Sequence, residues 1–423
     1  MGEKYKVLGF DSWTGGAKFY SNFRLPLLEL NADIKLIHLG SWGADVGRPL
    51  SEVVEGLPVY DISWYEKNSV FEILEREKPD VVVFLSTDTF SHRAINRICK
   101  MQSIPTMHVY HGIMNALPND TIRDYKVNIL NQAKFVTERI LKMLFRVWPF
   151  YINELIRSGG TFADWRRFFS DNISFALAKK IPKSAPDAKA GHCCVFVDID
   201  VSHAKSKYGY SSDEVSVVGN PDLPKFGLRD DQIGSGLASH IKKTNEIFYI
   251  DTALVFRGSL FQDCEEFLSH LLETRDEIQR LGKKMVVKLH PQHFRTGLPA
   301  KLETCGIDVC DDDSFATRLS HSVAAIVEPS SASLIPALLG IPILLGKYGK
   351  LKDQKYGRIF EEYSRSTNLF DLGSLGSKLD AEIAAFDEVK CREWIFRNAG
   401  PLPSDDMPRR VAKEILSLTT MSK

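Results

Sequence analysis

Short apolar runs alternate with helical patterns over most of the 423 residues. A chain with this rhythm must build parallel α/β sheets, because each strand needs a helical crossover to reach its parallel neighbour. The first series contains Tyr5–Phe10, Ile34–Leu39, Leu57–Tyr60, Asp80–Leu85 and Pro105–Tyr110, with helical spacing at Phe71–Lys78 and at Ala94, Ile95, Ile98 and Met101. Cys194–Val197 and Val215–Val218 follow, with a short helix at Ser202–Tyr208 between them. A second series runs through Ile247–Ile250, a helix from about Asp263 to Leu281, Lys284–Leu289, Ile307–Val309, Ala324–Val327 and Ile341–Leu345. The polar, glycine-bearing stretch 225–243 suits a connection between the two. The spacing predicts two doubly wound, Rossmann-like α/β domains, at 1–222 and 223–395, with a C-terminal helix in 396–423 that crosses back to the first.

Charge narrows the functional classes. Lys plus Arg number 54 and Asp plus Glu number 54, so the formal net charge is zero. A protein that neutralises a polymer of phosphates carries a basic excess, so no nucleic-acid partner is expected. No apolar run is long enough to span a membrane, and the N-terminus does not read as a signal peptide. Seven scattered cysteines without a CxxC pair fit free thiols, and a cytoplasmic location is expected.

One region breaks the rhythm. Between about 123 and 185 the sequence reads as long amphipathic helices. Phe135, Ile140, Leu144, Phe145, Trp148 and Tyr151 interleave with Lys134, Arg139, Lys142 and Arg146, and Trp165-Arg166-Arg167-Phe168-Phe169 follows. Two readings suit it: a helical insertion packed on its own sheet, or, over 134–170, a peripheral contact with the inner face of a membrane.

Two strand ends in the second series are ready for an anion. His290-Pro291 closes the Lys284–Leu289 run, where a ring nitrogen can meet a phosphate oxygen. Further on, the Ala324–Val327 run ends at Glu328, and Ser330, Ser331 and Ser333 open a helix that Gly340 closes. Ser330 is the expected N-cap, and a helix N-terminus with hydroxyls binds phosphate. In the first series, Asp11 ends a strand just before Gly15-Gly16, which permit close backbone approach to a ligand. Asp11 equally suits a plain loop carboxylate or a cap. Arg257 is a further anion partner or a surface arginine. Asp198-Ile-Asp200 and Asp311-Asp312-Asp313 have the letters of a metal-diphosphate motif, but both are short and no metal is expected.

The runs SVVGNP, VVKLHPQ and VEPSSASLIPALLGIPIL resemble the nucleotide-binding half of bacterial GT-B glycosyltransferases of the capsule and lipopolysaccharide type, including sialyltransferases and Kdo transferases. The resemblance implies two Rossmann-like domains facing a central cleft. It also implies a nucleotide-sugar donor, a CMP-sugar before others, and a surface glycan or lipid-linked acceptor. By it, His290 and Pro291 contact the donor phosphate and base, and Ser330 and Ser331 hold the phosphate. Many retaining relatives carry a second Glu eight positions after the first. Here Pro336 stands in that place, which favours inversion. Inversion needs a base for the acceptor hydroxyl. His111, ending a first-domain strand before Gly112, is the leading candidate, and Asp11 is the other. Tyr110-His111-Gly112 departs from the acidic pair of the sialyltransferases and looks like the His-Gly of polyol-phosphate transferases. A CDP-glycerol-type transferase is therefore the first alternative, and a silent GT-B-like or epimerase-like protein the second.

Overall fold

The computed structural model describes residues 4–11, 16–42, 49–65, 69–113, 143–176, 185–237, 243–252, 254–257, 260–328, 331–352, 357–384 and 386–421. Fourteen strands form two sheets among them. The first holds β1 (Tyr5–Asp11), β2 (Ala32–His38), β3 (Ser51–Val54), β4 (Leu57–Asp61), β5 (Val81–Phe84), β6 (Thr106–Val109), β7 (His192–Val195) and β8 (Val215–Val217). Its order is β3-β4-β2-β1-β5-β6-β7-β8, and every pairing except β3 with β4 is parallel. The second holds β9 (Glu246–Ile250), β10 (Lys284–Lys288), β11 (Asp308–Val309), β12 (Ala324–Val327), β13 (Ile343–Gly346) and β14 (Ser366–Leu369), all parallel, in the order β11-β10-β9-β12-β13-β14. The chain therefore has the two-sheet, Rossmann-like α/β architecture that its rhythm predicts.

The central strands are apolar because helices cover both faces. β5 reads VVVF and β12 reads AAIV, and all eight residues are buried. Helices start where caps allow. Thr89 accepts from the His92 amide at the head of the Phe90–Met101 helix. Asp263 accepts from the Glu265 and Glu266 amides at the head of the Cys264–Arg280 helix. Two strands have no counterpart in the apolar runs, β3 (SEVV) and β14 (STNL). Both lie at a sheet edge, where half-exposed positions carry polar side chains.

The stretch 225–243, expected to be a connection, does more than connect. The Gly234 and Gly236 amides donate to the Leu338 and Leu339 carbonyls, each at 2.7 Å. A Cβ on Gly236 would lie 2.6 Å from the Leu339 oxygen, so the close approach requires glycine. Within the helical region, the Trp148–Arg157 and Phe162–Ala176 helices lie against the Phe90–Met101 helix. Phe150, Tyr151, Leu155 and Phe168 are buried in the core beneath. Residues 134–142 of the proposed membrane segment lie outside the described residues. No described helix is long and apolar enough to cross a membrane.

The C-terminal helix Met407–Met421 packs on the first domain, against the Ala17–Glu29 helix. Val411, Ala412 and Ile415 are fully buried there. The Arg410 guanidinium ties the crossing by donating to the Val218, Pro401 and Pro403 carbonyls at 2.6, 3.0 and 2.9 Å.

Candidate functional site

Strand order fixes where ligands can enter. In an open parallel sheet the crevice lies beyond the strand C-termini, where successive crossovers leave in opposite directions. That point falls between β1 and β5 in the first sheet and between β9 and β12 in the second. Asp11 ends β1, and Leu85, Asp251 and Glu328 directly follow β5, β9 and β12.

At the first crevice Asp11 is 0% exposed. Gly16, which precedes the Ala17–Glu29 helix, packs directly on its carboxylate, and a Cβ there would lie 2.8 Å from Oδ2. His92, also 0% exposed, places Nε2 at 3.9 Å from Asp11 Oδ1. Burial pushes the His92 pKa down to about 3, with Asp88 acting against the shift and His111 adding to it. His108 on β6 is likewise pushed down to about 3 by burial. His111 is exposed and sets Nδ1 at 2.7 Å from the Leu85 carbonyl. A carbonyl only accepts, so Nδ1 carries the proton and Nε2 is the basic nitrogen. Next to it, Tyr110 meets His203 Nδ1 at 2.9 Å, and Asp88 accepts from Lys207 and Tyr208 at 2.6 and 3.0 Å. Both candidate bases, Asp11 and His111, thus sit at one strand edge. Gly15 lies outside the described residues.

At the second crevice Asp251 organises the His290 turn. Its Oδ2 accepts from the His290 backbone amide at 2.9 Å and lies 3.3 Å from His293 Nε2. His293 is 0% exposed and stacks on Phe267, and burial pushes its pKa down to about 4. His290 is half-buried. Its Nδ1 accepts from the Gln292 amide, and burial lowers its pKa although Asp251 opposes the shift. Nδ1 is thereby turned inward to cap its own turn, which leaves Nε2 as the ring atom for a ligand. Pro291 is exposed beside it, at the first position of that turn.

Glu328 turns into the protein. It is 1% exposed, and its carboxylate accepts from Tyr249 at 2.5 Å and from the Thr252 amide and hydroxyl at 3.1 and 3.0 Å. Burial and repulsion from Asp251 push its pKa up to about 8, against those hydrogen bonds. The Glu328 carboxylate is therefore a brace between β12 and the end of β9. Ser333 is fully buried, and its hydroxyl donates to the Glu328 carbonyl. The helix proper, Leu334–Leu338, starts after Ser333, with Pro336 buried inside it, and Gly340 follows at φ +81°. Ser330, expected as the cap, lies outside the described residues, as do the side chains of Ser331 and Arg257. The backbone of Arg257 ends the turn Leu254–Arg257 after β9. Lys347, past β13, is buried, which pushes its pKa down to about 8. The two acidic motifs are placed on helix starts. Asp198 and Asp200 sit in the first turn of the Asp198–Tyr208 helix, and Asp311 caps the Asp312–Ser320 helix.

Sequence reading missed His92, Asp251 and His293. A signal for Asp251 existed, since both opening strands run into an Asp, as Gly9-Phe10-Asp11 and Tyr249-Ile250-Asp251. His92 and His293 carry no local pattern that separates them from other helix and turn histidines.

No family model matches the chain, and no curated protein is significantly similar in sequence. Solved structures do match along nearly its whole length. UDP-GlcNAc 2-epimerase from Methanocaldococcus jannaschii, in complex with UDP-GlcNAc and UDP, is 13% identical with a TM-score of 0.48, over 97% of this chain and 99% of that one. The Rickettsia bellii UDP-N-acetylglucosamine 2-epimerase is 13% identical with a TM-score of 0.48, over 99% and 96%. A glycosyltransferase from Rickettsia africae is 14% identical with a TM-score of 0.44, over 98% and 99%. At this level of similarity no activity passes from one chain to another.

Proposed function

We propose that the chain is an enzyme acting on a nucleotide-activated sugar, and specifically an inverting glycosyltransferase. The observation that carries this reading is the His111–Leu85 contact, which makes Nε2 the basic nitrogen at a strand-edge crevice. In the reaction Nε2 takes the acceptor hydroxyl's proton as that oxygen attacks the anomeric carbon. The donor's phosphates lie at the second crevice, against His290 Nε2 and the serines after Glu328, and polar donors there stabilise the charge of the leaving nucleotide. The donor is a CMP-sugar before others and the acceptor a growing surface polysaccharide or lipid-linked glycan. Thermal shift and saturation-transfer NMR with CMP, UDP, GDP and CDP-glycerol test it. A response to CMP supports the sugar-transfer reading, a response to CDP-glycerol alone moves it to polyol-phosphate transfer, and silence from all four sinks it.

A second reading is epimerisation of the nucleotide sugar, favoured by the burial of Asp11. A carboxylate walled from water suits proton abstraction from carbon. Incubating UDP-GlcNAc with the protein in heavy water, with no acceptor, separates the two. Deuterium at the sugar C2 establishes epimerisation, and unlabelled sugar removes it. Contact with an anionic membrane is part of the first reading. Phe145, Phe162 and Phe169 are exposed near Arg146, Arg166 and Arg167, while Asp164 and Asp171 pair inward with Arg97 and Arg93. Co-sedimentation with anionic liposomes supports it, and its absence at low salt removes it.

A further inference from the structure

We infer that His92 is the positioning residue for Asp11, presenting an Nε2–H to its carboxylate from inside the first domain. The inference rests on the second reading above, in which the Asp11 carboxylate takes the proton. His92 is fixed from three sides. Thr89, which caps its helix, sets Oγ1 at 2.6 Å from His92 Nδ1 and at 2.8 Å from Ser91 Oγ. Either hydroxyl can donate in the Thr89–Ser91 contact; the arrangement inferred has Ser91 donating to Thr89 and the single Thr89 proton going to Nδ1, which puts the ring proton on Nε2. Phe10 and Phe84 meet the ring edge-on, with centroids at 5.4 and 6.0 Å, and fix its plane. The last constraint is burial. The ring is 0% exposed, and Nε2 has no hydrogen-bond partner among the described residues.

A buried N–H without a partner costs about 1–3 kcal/mol, so a site that keeps one aims it at something. The carboxylate facing it is Asp11, with Oδ1 at 3.9 Å. The contact is too long for a hydrogen bond, and a turn of the carboxylate by about 1 Å would make one. The charged and titratable groups facing the ring are Asp11 from β1, Asp88 from the loop after β5, and His108 and His111 from β6 and its end. Burial outweighs Asp88 and keeps the imidazole neutral through the physiological range. A neutral ring can hold an anionic oxygen in place without taking its proton, which leaves Asp11 able to accept one.

Imidazole NMR on the full chain labelled with 15N-histidine tests the arrangement without substrate. The expected result is a His92 ring neutral from pH 5 to 8 with its proton on Nε2. A ring that charges near neutral pH, or a proton on Nδ1 in the parent, overturns the inference. Turnover of the nucleotide sugar found by the ligand screen supplies the second readout. His92→Phe, whose ring fits between Phe10 and Phe84, should lower kcat about 10²-fold with KM unchanged. His92→Gln, which keeps a donor near Nε2, should recover most of it. A loss in Asp11→Asn without a loss in His92→Phe overturns the inference alone. Unchanged turnover in Asp11→Asn overturns both it and the role of Asp11.

Discussion

In the proposed reaction His111 depends on a neighbour that cannot donate. The Leu85 carbonyl fixes the tautomer, as a carboxylate does in a catalytic triad, but adds no negative charge. His111→Ala should lower turnover by about 10²- to 10⁴-fold while nucleotide affinity stays the same, measured by calorimetry beside a steady-state assay. Unchanged turnover would remove His111 as the base. Glu328 works by the opposite rule, as a carboxyl held back from solvent. Its folded pKa of about 8 lies above the ordinary 4.5, so between those values the folded state keeps a proton that the unfolded chain has released. Its contribution is therefore complete below the unfolded pKa and fades as pH rises towards 8. Urea unfolding at pH 5 and pH 8 should show parent stability falling over this interval by up to a few kcal/mol, and Glu328→Gln should flatten the fall. An identical slope in the variant would show that Glu328 is ionised throughout.

The helical layer beside the first sheet hangs on one buried cation. Arg93, 5% exposed, donates to Asp187 at 2.7 Å, Asp171 at 3.0 Å and the Tyr151 hydroxyl at 3.2 Å, and its guanidinium lies 4.8 Å from the centre of the Phe90 ring. Three segments thus meet on the Phe90–Met101 helix. Arg93→Met should cost about 3–5 kcal/mol because it strands two carboxylates, one of them well buried. Denaturant melting would show this, and a loss below 1 kcal/mol would mean that the layer is held by its other contacts. None of these pairings was legible in the sequence, where the amphipathic pattern announced helices and left their partners open. The central strands were legible, because burial on two faces forces runs such as Val81-Val82-Val83-Phe84. The edge strands were not, since Ser51–Val54 and Ser366–Leu369 are half-polar by position. The candidate site divides in the same way. Strand-ending residues such as Asp11 and His290 stand out beside apolar runs, whereas His92 and His293 matter through contacts made only after the chain has folded.

On the scale of the whole molecule, the C-terminal helix makes the first domain dependent on residues that follow the second. Ile415→Asp would put a carboxylate into the fully buried contact with the Ala17–Glu29 helix. The expected cost is at least about 3 kcal/mol, with faster amide exchange in β1 and β5 as well as in the C-terminal helix. Exchange confined to residues 407–421 would show that the first domain is complete without them. The same crossing has a consequence for the order in which the parts are made. On the ribosome the Ala17–Glu29 helix emerges well before its cover, which is translated after both sheets. Domains generally fold from the N-terminus as they are synthesised. Here the second domain can close before the first is finished. During that interval the outer face of the Ala17–Glu29 helix is bare, and a nascent-chain chaperone has most to protect.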